Sequence, residues 1–548
     1  MRLLPSAHQD GFTRDNLPPA DLWPVLRFDL PELRYPDRLN CAVELLDTAL
    51  AEGHGDRPAI LYGDQRWTYA DVAAQVNRVA RVLTEDLGAV PGNRVLLRAP
   101  NTPMMFVCWL AVMKAGLVAV STMPLLRAFE LRQIVEKARI GLALCDASLL
   151  AELEQAKAEL PVLRRIVPFG EPDAELERLA AAKAPDFTAV DTSQDDVCLL
   201  AFTSGTTGEP KACMHFHRDV IAMCDSFARH ILAPRPDDVF VGTPPIAFTF
   251  GLGALLTFPF RFRAAAALPD KAGPTALIEA IDRHKATMVF TSPTGYRAML
   301  GQLKDYDIGS VRTCVSAGEA LPKPTSDAWF EATGLRIVDG IGSTEMIHIF
   351  ISAAGADIRP GATGRPVPGY VAALLDEDDR EIEGPGAGRL AIRGPTGCRY
   401  MADARQTRYV VNGWNVTGDT YRRDADGYYW FEARADDMII SSGYNIAGPE
   451  VEQALLAHPA VAECAVVASP DRERGHLVKA FVVPAKGAAA GEALAKELQD
   501  FVKARIAPYK YPRAVEFVDA LPKTQTGKIQ RFKLRQREEE RARQPTAA

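Results

Sequence analysis

Short apolar runs alternate with longer mixed stretches along much of this chain, and their spacing sets the architecture. Val95-Leu96-Leu97, Leu117-Val118-Ala119-Val120 and Leu142-Ala143-Leu144-Cys145 read as buried strands. Between them, Pro103 to Ala115 and Glu130 to Ala138 read as helices. Strand, helix, strand at this spacing predicts right-handed crossovers and a parallel sheet. Similar units recur at Val239-Phe240-Val241, Met288-Val289-Phe290 and Leu335-Arg336-Ile337-Val338. Upstream, Asn40 to Gly53 predicts a helix with Val43, Leu46 and Leu50 on one stripe, while the Pro-rich residues 1–36 wrap the surface. The Ala-rich, charged stretch from Leu149 to Lys183 predicts surface helix.

After Gly361 the pattern changes. Tyr370 to Leu375 and Arg389 to Arg393 are short strands between Gly/Pro turns, which predicts a small β-barrel or distorted sheet. From Asp436 a compact remainder follows: a helix near Pro449 to His458, strands at Ala465-Val466-Val467 and Ala480 to Val483, and a helix ending at Arg505. Arg535 to Arg543 is charged on all sides and predicts a solvated, frayed tail. The expectation is an α/β chain: a large domain over 1–435, with parallel-sheet subdomains and a small barrel, and a small α+β domain over 436–548.

Composition narrows the function. A length of 548 residues exceeds one core, so two or more domains are expected. A net charge of −7 supplies no basic excess for a nucleic-acid backbone. The most apolar stretch, Gly251 to Leu268, is broken by Arg261 and Arg263 and predicts no membrane span. Met1 to Asp21 holds no apolar segment of signal-peptide length. Nine cysteines without Cys-x-x-Cys spacing read as small buried hydrophobes in a reducing compartment, which points to the cytoplasm.

The candidate chemistry begins where the apolar run Val197 to Phe202 ends. Thr203-Ser204-Gly205-Thr206-Thr207-Gly208-Glu209-Pro210-Lys211 offers hydroxyl donors, glycines that free backbone N–H groups, and a lysine for terminal phosphates. A Walker loop needs Gly-Lys followed by Ser or Thr; here Glu209-Pro210 intervenes and Ala212 follows, so that class is disfavoured. A second apolar strand leads into Asp339-Gly340-Ile341-Gly342-Ser343-Thr344-Glu345. A hydroxyl beside a carboxylate at a strand's carboxyl end suits phosphate contact plus Mg²⁺. Alone, this pair would read better as a helix N-cap followed by an ordinary glutamate. Thr417-Gly418-Asp419, Arg434-Ala435-Asp436 with Gly443, and Lys523-Thr524-Gln525-Thr526-Gly527-Lys528 complete the set. Taken singly they read as a turn, a charged linker and a solvated loop.

In this order, these motifs resemble the acyl-adenylate-forming enzymes, which include acyl-CoA synthetases, peptide-synthetase adenylation domains and luciferases. The resemblance covers nearly the whole chain. It implies ATP, Mg²⁺ and coenzyme A as reactants or cofactors. Thr203, Ser204, Gly205, Thr206, Thr207, Gly208 and Lys211 would hold phosphates, Thr344 the α-phosphate and Glu345 the metal. Gly318, Glu319 and Gly340 would bind ATP, Asp339 would contact the adenine amino group, and Ile341 stands where most members carry a tyrosine that stacks on adenine. Asp419 and Arg434 would take the ribose hydroxyls. Asp436 matches the hinge of a mobile C-terminal domain, Gly443 the pantetheine channel, and Lys528 the lysine that enters the site for adenylation.

The acid pocket of this family corresponds to Pro245 to Gly253, Ser316 to Glu319, and Met346 to Phe350. No carboxylate lies in Pro245 to Gly253 to hold an ammonium, so amino-acid activation is disfavoured. Phe250-Gly251-Leu252-Gly253, together with Gly342 to Met346 and His348, resembles the benzoate- and 2-aminobenzoate-CoA ligases. That resemblance implies a flat pocket lined by Thr249, Phe250, Gly251, Ala317, Gly342 and His348. Thr249 or a backbone carbonyl would accept from an ortho amino group. The alternative is a short- or medium-chain fatty-acyl-CoA ligase with a deeper tunnel. A luciferase-like oxygenase would share the adenylate; a degenerate nucleotide-binding protein would have lost Glu345 or Lys528, and both are present.

Overall fold

The computed structural model describes residues 3–543 except 204–208, 272, 319–320, 322, 435–437, 523–528 and 530. The chain divides into two compact units. The first comprises residues 1–124, 135–203 and 212–433; the second comprises 125–134, 204–211 and 434–548.

In the first unit, the apolar runs become a six-stranded sheet in the order Arg165–Phe169, Leu142–Asp146, Arg94–Arg98, Val118–Thr122, Val197–Thr203, Lys211–Phe216. Arg94–Arg98 pairs in parallel with both Val118–Thr122 and Leu142–Asp146. Every residue of Arg94–Arg98 is buried, as expected for a strand covered on both faces. Its Arg98 guanidinium is satisfied by the carbonyls of Met123 and Pro124 at 2.8 and 2.9 Å. The stretch from Leu149 to Lys183 is not only helix. Helices Leu150–Lys157 and Glu175–Ala181 flank the strand Arg165–Phe169, whose buried Ile166, Val167 and Phe169 are hidden in sequence by the charged Arg164-Arg165.

A nine-stranded sheet carries Val239–Gly242, Met288–Thr291, Thr313–Ser316 and Ile337–Gly342 as parallel neighbours. Ile349–Ser352 then returns antiparallel to Ile337–Gly342. The connection between these two strands, residues 343–348, projects from the carboxyl edge where open α/β sheets bind ligands. A separate antiparallel sheet of five strands contains Val371–Leu375, Gly386–Arg393 and Trp414–Arg423. Thr417-Gly418-Asp419 lies inside Trp414–Arg423 and is not a turn. Gly418 takes φ 81° where the pairing register with Gly386–Arg393 shifts, so the glycine serves a bulge.

The second unit holds a three-stranded sheet of Val461–Asp471, Gly475–Pro484 and Ala514–Phe517. Helices Gly448–Leu456 and Glu492–Arg505 accompany it. The charged C-terminal segment forms the helix Arg531–Arg543 instead of a frayed tail. Leu534 and Glu538 are both buried, and Glu538 accepts from Ser469 Oγ and Lys479 Nζ, each at 2.8 Å. An all-round polar pattern concealed this, because much of the docking is by ion pairs: Arg531 with Glu452, and Arg537 and Arg541 with Glu516. All nine cysteines are free and buried. Among the described residues, no helix is long and apolar enough to cross a membrane.

Candidate active site

Residues 343–348 turn sharply between two strands, and side chains from distant segments fix the turn. His215 Nε2 donates to the Thr344 carbonyl at 2.8 Å, and Tyr400 Oη donates to Glu345 Oε1 at 2.5 Å. The Thr396 hydroxyl donates to the Met346 carbonyl at 2.8 Å, and the Ser343 and Tyr409 hydroxyls meet at 3.1 Å. Ile347 sits at φ 65°, a left-handed conformation that costs a β-branched residue about 1–3 kcal/mol. Such strain persists only where the surroundings over-determine the backbone, and these straps do so. The turn presents a buried Glu345 carboxylate beside a half-buried Thr344. A carboxylate oxygen is the hard donor that Mg²⁺ takes, so the donor chemistry fits that ion.

Along the strand feeding the turn, Asp339 is half-buried and its Oδ1 has no hydrogen-bond partner. Burial pushes its carboxyl up to about 7, against the pull of the Gly340 and Leu321 backbone N–H groups. Gly340 cannot carry a side chain, since a Cβ there would meet Ile349 Cγ2 at 2.7 Å. Ile341 is half-buried and pairs with Ile351. Ala317 is buried, and Gly318 beside it takes φ 91°.

The far side of the turn is apolar. His348 is 2% exposed, and its ring lies 4.6 Å from Phe258, 5.2 Å from Phe227 and 5.8 Å from Phe250, centroid to centroid. Neither ring nitrogen completes a hydrogen bond. Burial pushes the imidazole down to about 3, so it is neutral at any physiological pH, with only a small opposing pull from the Phe250 backbone. Two glycines make room for this arrangement. A Cβ on Gly253 would meet His348 Cδ2 and Nε2 at 2.6 Å, and one on Gly342 would meet the His348 carbonyl carbon at 2.8 Å. Thr249 and Gly251 are buried and Phe250 half-buried at the start of the same helical segment. Gly251 is pressed against the Pro245 carbonyl, where a Cβ would come within 2.1 Å.

One strand, turn and return therefore bring Asp339, Ile341, Gly342, Thr344, Glu345 and His348 together, with Phe250 packed near His348. Thr203 closes Val197–Thr203, and Lys211 opens Lys211–Phe216. Asp419 is buried in the antiparallel sheet. Arg434 ends the strand Tyr429–Arg434. Ser442 and Gly443, at φ 50° and 81°, form a two-residue hairpin turn between Met438–Ser441 and Tyr444–Ala447. Ser204, Gly205, Thr206, Thr207, Gly208, Glu319, Asp436 and Lys528 lie outside the described residues.

His215, Thr396, Tyr400, Phe227 and Phe258 are the site residues that motif reading missed. Their partners are brought in by pairings between distant strands, which leave no local sequence signal. A separate group, Cys41, Cys198 and His217, has ligand atoms within 4.8 Å of one another. His217 Nδ1 accepts from the Cys41 amide at 3.1 Å and lies 3.2 Å from Cys41 Sγ.

The chain resembles known proteins over most of its length. The family model described as AMP-binding enzyme matches residues 48–400, and that of the AMP-binding enzyme C-terminal domain matches 450–528. The chain is 38% identical over 514 residues to a benzoate–CoA ligase of Thauera aromatica, covering 92% of this chain and 97% of that protein. It is 34% identical to a 3-hydroxybenzoate–CoA ligase of Aromatoleum sp. (strain CIB), covering 91% of this chain and 97% of that one. Among solved structures, an anthranilate CoA ligase, AuaEII, in complex with anthranoyl-AMP superposes with a TM-score of 0.73 at 34% identity. That match covers 94% of this chain and all of the other.

Proposed function

The chain belongs to the AMP-binding enzyme family, and from that premise we propose that it joins a small aromatic carboxylic acid to coenzyme A at the expense of ATP. The observation that carries the aromatic assignment is the wall of Phe227, Phe250, Phe258 and neutral His348 directly behind the Thr344–Glu345 turn. An aromatic wall suits a flat ring packed against it. Similarity to benzoate-, 3-hydroxybenzoate- and anthranilate-CoA ligases supports the same class of acid.

In the first half-reaction an oxygen of the acid attacks the α-phosphorus of ATP, and pyrophosphate leaves. Thr206, Thr207, Lys211, Thr344 and Lys528 would meet the phosphate charge, a role of positioning and electrostatics. Glu345 would hold Mg²⁺, which supplies neutralisation of phosphate charge when bound. Asp339, with an unpartnered oxygen, would accept from the adenine amino group, with Gly318, Glu319, Gly340 and Ile341 around the base. Asp419 and Arg434 would take the ribose. In the second half-reaction the CoA sulfur attacks the acyl carbon and AMP leaves. We assign residues 436–548 to a domain that turns about Asp436 between the two steps, withdrawing Lys528 and admitting the thiol on the Gly443 side. Nine free cysteines fit a reducing compartment, consistent with the cytoplasm.

The test is pyrophosphate release from ATP with benzoate, 2-aminobenzoate, 3-hydroxybenzoate, hexanoate and octanoate, each with and without CoA. A matched ring slot should favour the aromatic acids by about 10–200-fold in kcat/KM. A lead for hexanoate or octanoate would replace the aromatic pocket by a medium-chain one.

A further inference from the structure

The strand Lys211–Phe216 leaves the phosphate-loop sequence and runs beside residues 399–401. Met214 N–H donates to the Arg399 carbonyl at 2.8 Å, Met401 N–H donates to the Ala212 carbonyl at 2.9 Å, and Cys213 bridges Tyr400. Each of these two neighbouring segments sends one side chain to the Thr344–Glu345 turn. Tyr400 reaches the Glu345 carboxylate, and His215 reaches the Thr344 carbonyl. His215 is fully buried. A carbonyl only accepts, so the proton sits on Nε2, and Nδ1 faces Asp219 Oδ2 at 3.8 Å. Asp219 is itself fully buried and fixed by the Arg399 guanidinium at 2.9 and 3.0 Å and by the Phe216 amide at 2.9 Å. The imidazole donates from Nε2 to the turn, and the anchored Asp219 carboxylate lies behind it, beyond hydrogen-bond distance of Nδ1.

We propose that His215 is a positioning residue for adenylation, holding the Thr344–Glu345 turn in register with the strand that leaves the phosphate loop. This rests on the assignment of Thr344 to phosphate and Glu345 to Mg²⁺ made above. The two motifs are far apart in sequence, and this hydrogen bond joins the strand that follows one directly to the backbone of the other. Without it, among the described residues, the Thr344 carbonyl keeps the Ile347 amide, at 3.1 Å within the turn itself. The carbonyl that accepts from the strained Ile347 amide then loses its anchor outside the turn. The Thr344 hydroxyl and Glu345 carboxylate are displaced relative to the phosphates, while the aromatic wall is unaffected.

The experiment compares His215→Leu, which fills the space without a donor, with His215→Gln, whose amide can still donate to the carbonyl. Both half-reactions are measured on the full chain: pyrophosphate release with benzoate, and thioester formation from supplied benzoyl-adenylate. Loss of one buried hydrogen bond should lower the adenylation rate of His215→Leu by about tenfold or more and raise the half-saturating Mg²⁺ concentration. The KM for benzoate and the thioester step should stay near wild type, and His215→Gln should recover most of the loss. Equal losses in both half-reactions, or failure of His215→Gln to recover a folded variant's rate, would overturn the proposal in favour of a general packing role. If His215→Leu does not fold, His215→Gln and His215→Asn carry the test, because only the longer amide reaches the carbonyl. Equal rates for these two would overturn it. Glu345→Gln separates the two readings. If that change leaves Mg²⁺ dependence intact, the assignment of the turn fails; if it abolishes activity while His215→Leu changes nothing, only the role of His215 fails.

Discussion

Thr344–Glu345 and His348 lie in one six-residue connection, yet they are held by opposite physics. The first pair is strapped by hydrogen bonds from His215 and Tyr400, and Thr396 anchors the adjacent Met346. The second has no hydrogen bond from its ring and is fixed by packing against three phenylalanines. Directional bonds fix positions to fractions of an ångström, which phosphate chemistry needs. Packing fixes volume and shape, which discriminate one acid from another. Substitutions on the two sides should therefore separate reaction from selectivity.

The largest effect is expected on the hydrogen-bonded side. Glu345→Gln removes the charge while keeping the shape, and should lower pyrophosphate release by about 100–1000-fold for every acid alike. A loss that differed strongly between benzoate and 2-aminobenzoate would join the two sides that the geometry keeps apart. Gly253→Ala attacks the packed side, because its Cβ would sit 2.6 Å from the His348 ring. Overpacking of this kind costs about 1–3 kcal/mol. It should reduce kcat/KM for benzoate by about 10–200-fold and leave the KM for ATP unchanged. Isothermal titration of ATP into the variant checks the second half of that statement.

Tyr400→Phe should be milder. It deletes one hydrogen bond to a charged oxygen and leaves the carboxylate in place, and about tenfold weaker Mg²⁺ activation is expected. An unchanged Mg²⁺ response would mean that the turn holds Glu345 without this strap. The smallest effect concerns Asp339, whose carboxyl burial raises to about 7. A raised carboxylate keeps its proton in the folded chain after the unfolded chain has lost it. Its stability contribution is therefore full below the ordinary carboxylate range and falls as pH rises toward about 7. An adenine amino group donating to Asp339 favours the ionised form, so ATP should bind severalfold more tightly as pH rises through that value. Asp339→Asn should flatten the profile of ATP Kd against pH; parallel profiles would remove Asp339 from the adenine site.

How much of this could be read from the sequence follows the same division. That Gly340, Thr344 and Glu345 share one strand and turn was legible, because they are neighbours in sequence. Gly253 was legible only as part of an apolar stretch; its role as the space beside His348 appears once residues 253 and 348 are in contact. His215 and Tyr400 carried no signal, since their partners lie 129 and 55 residues away. Local charge also misled. Arg164-Arg165 masked the strand Arg165–Phe169, and the polar face of Arg531–Arg543 hid the helix that Leu534 and Glu538 dock. Thr417-Gly418-Asp419 has turn composition, but in a bulged strand the glycine serves register.

The burial of all nine cysteines has a practical consequence for watching the molecule move. A thiol with no exposed surface cannot meet a bulky aromatic disulfide reagent until its surroundings open, so labelling reads the opening equilibrium of each neighbourhood in turn. Cys314 lies in the parallel sheet that leads to the site, whereas Cys464 belongs to the core of the second unit. Two reporters are thus already placed in separate cores, and their labelling rates in native buffer would rank the local opening of those cores without any engineered probe.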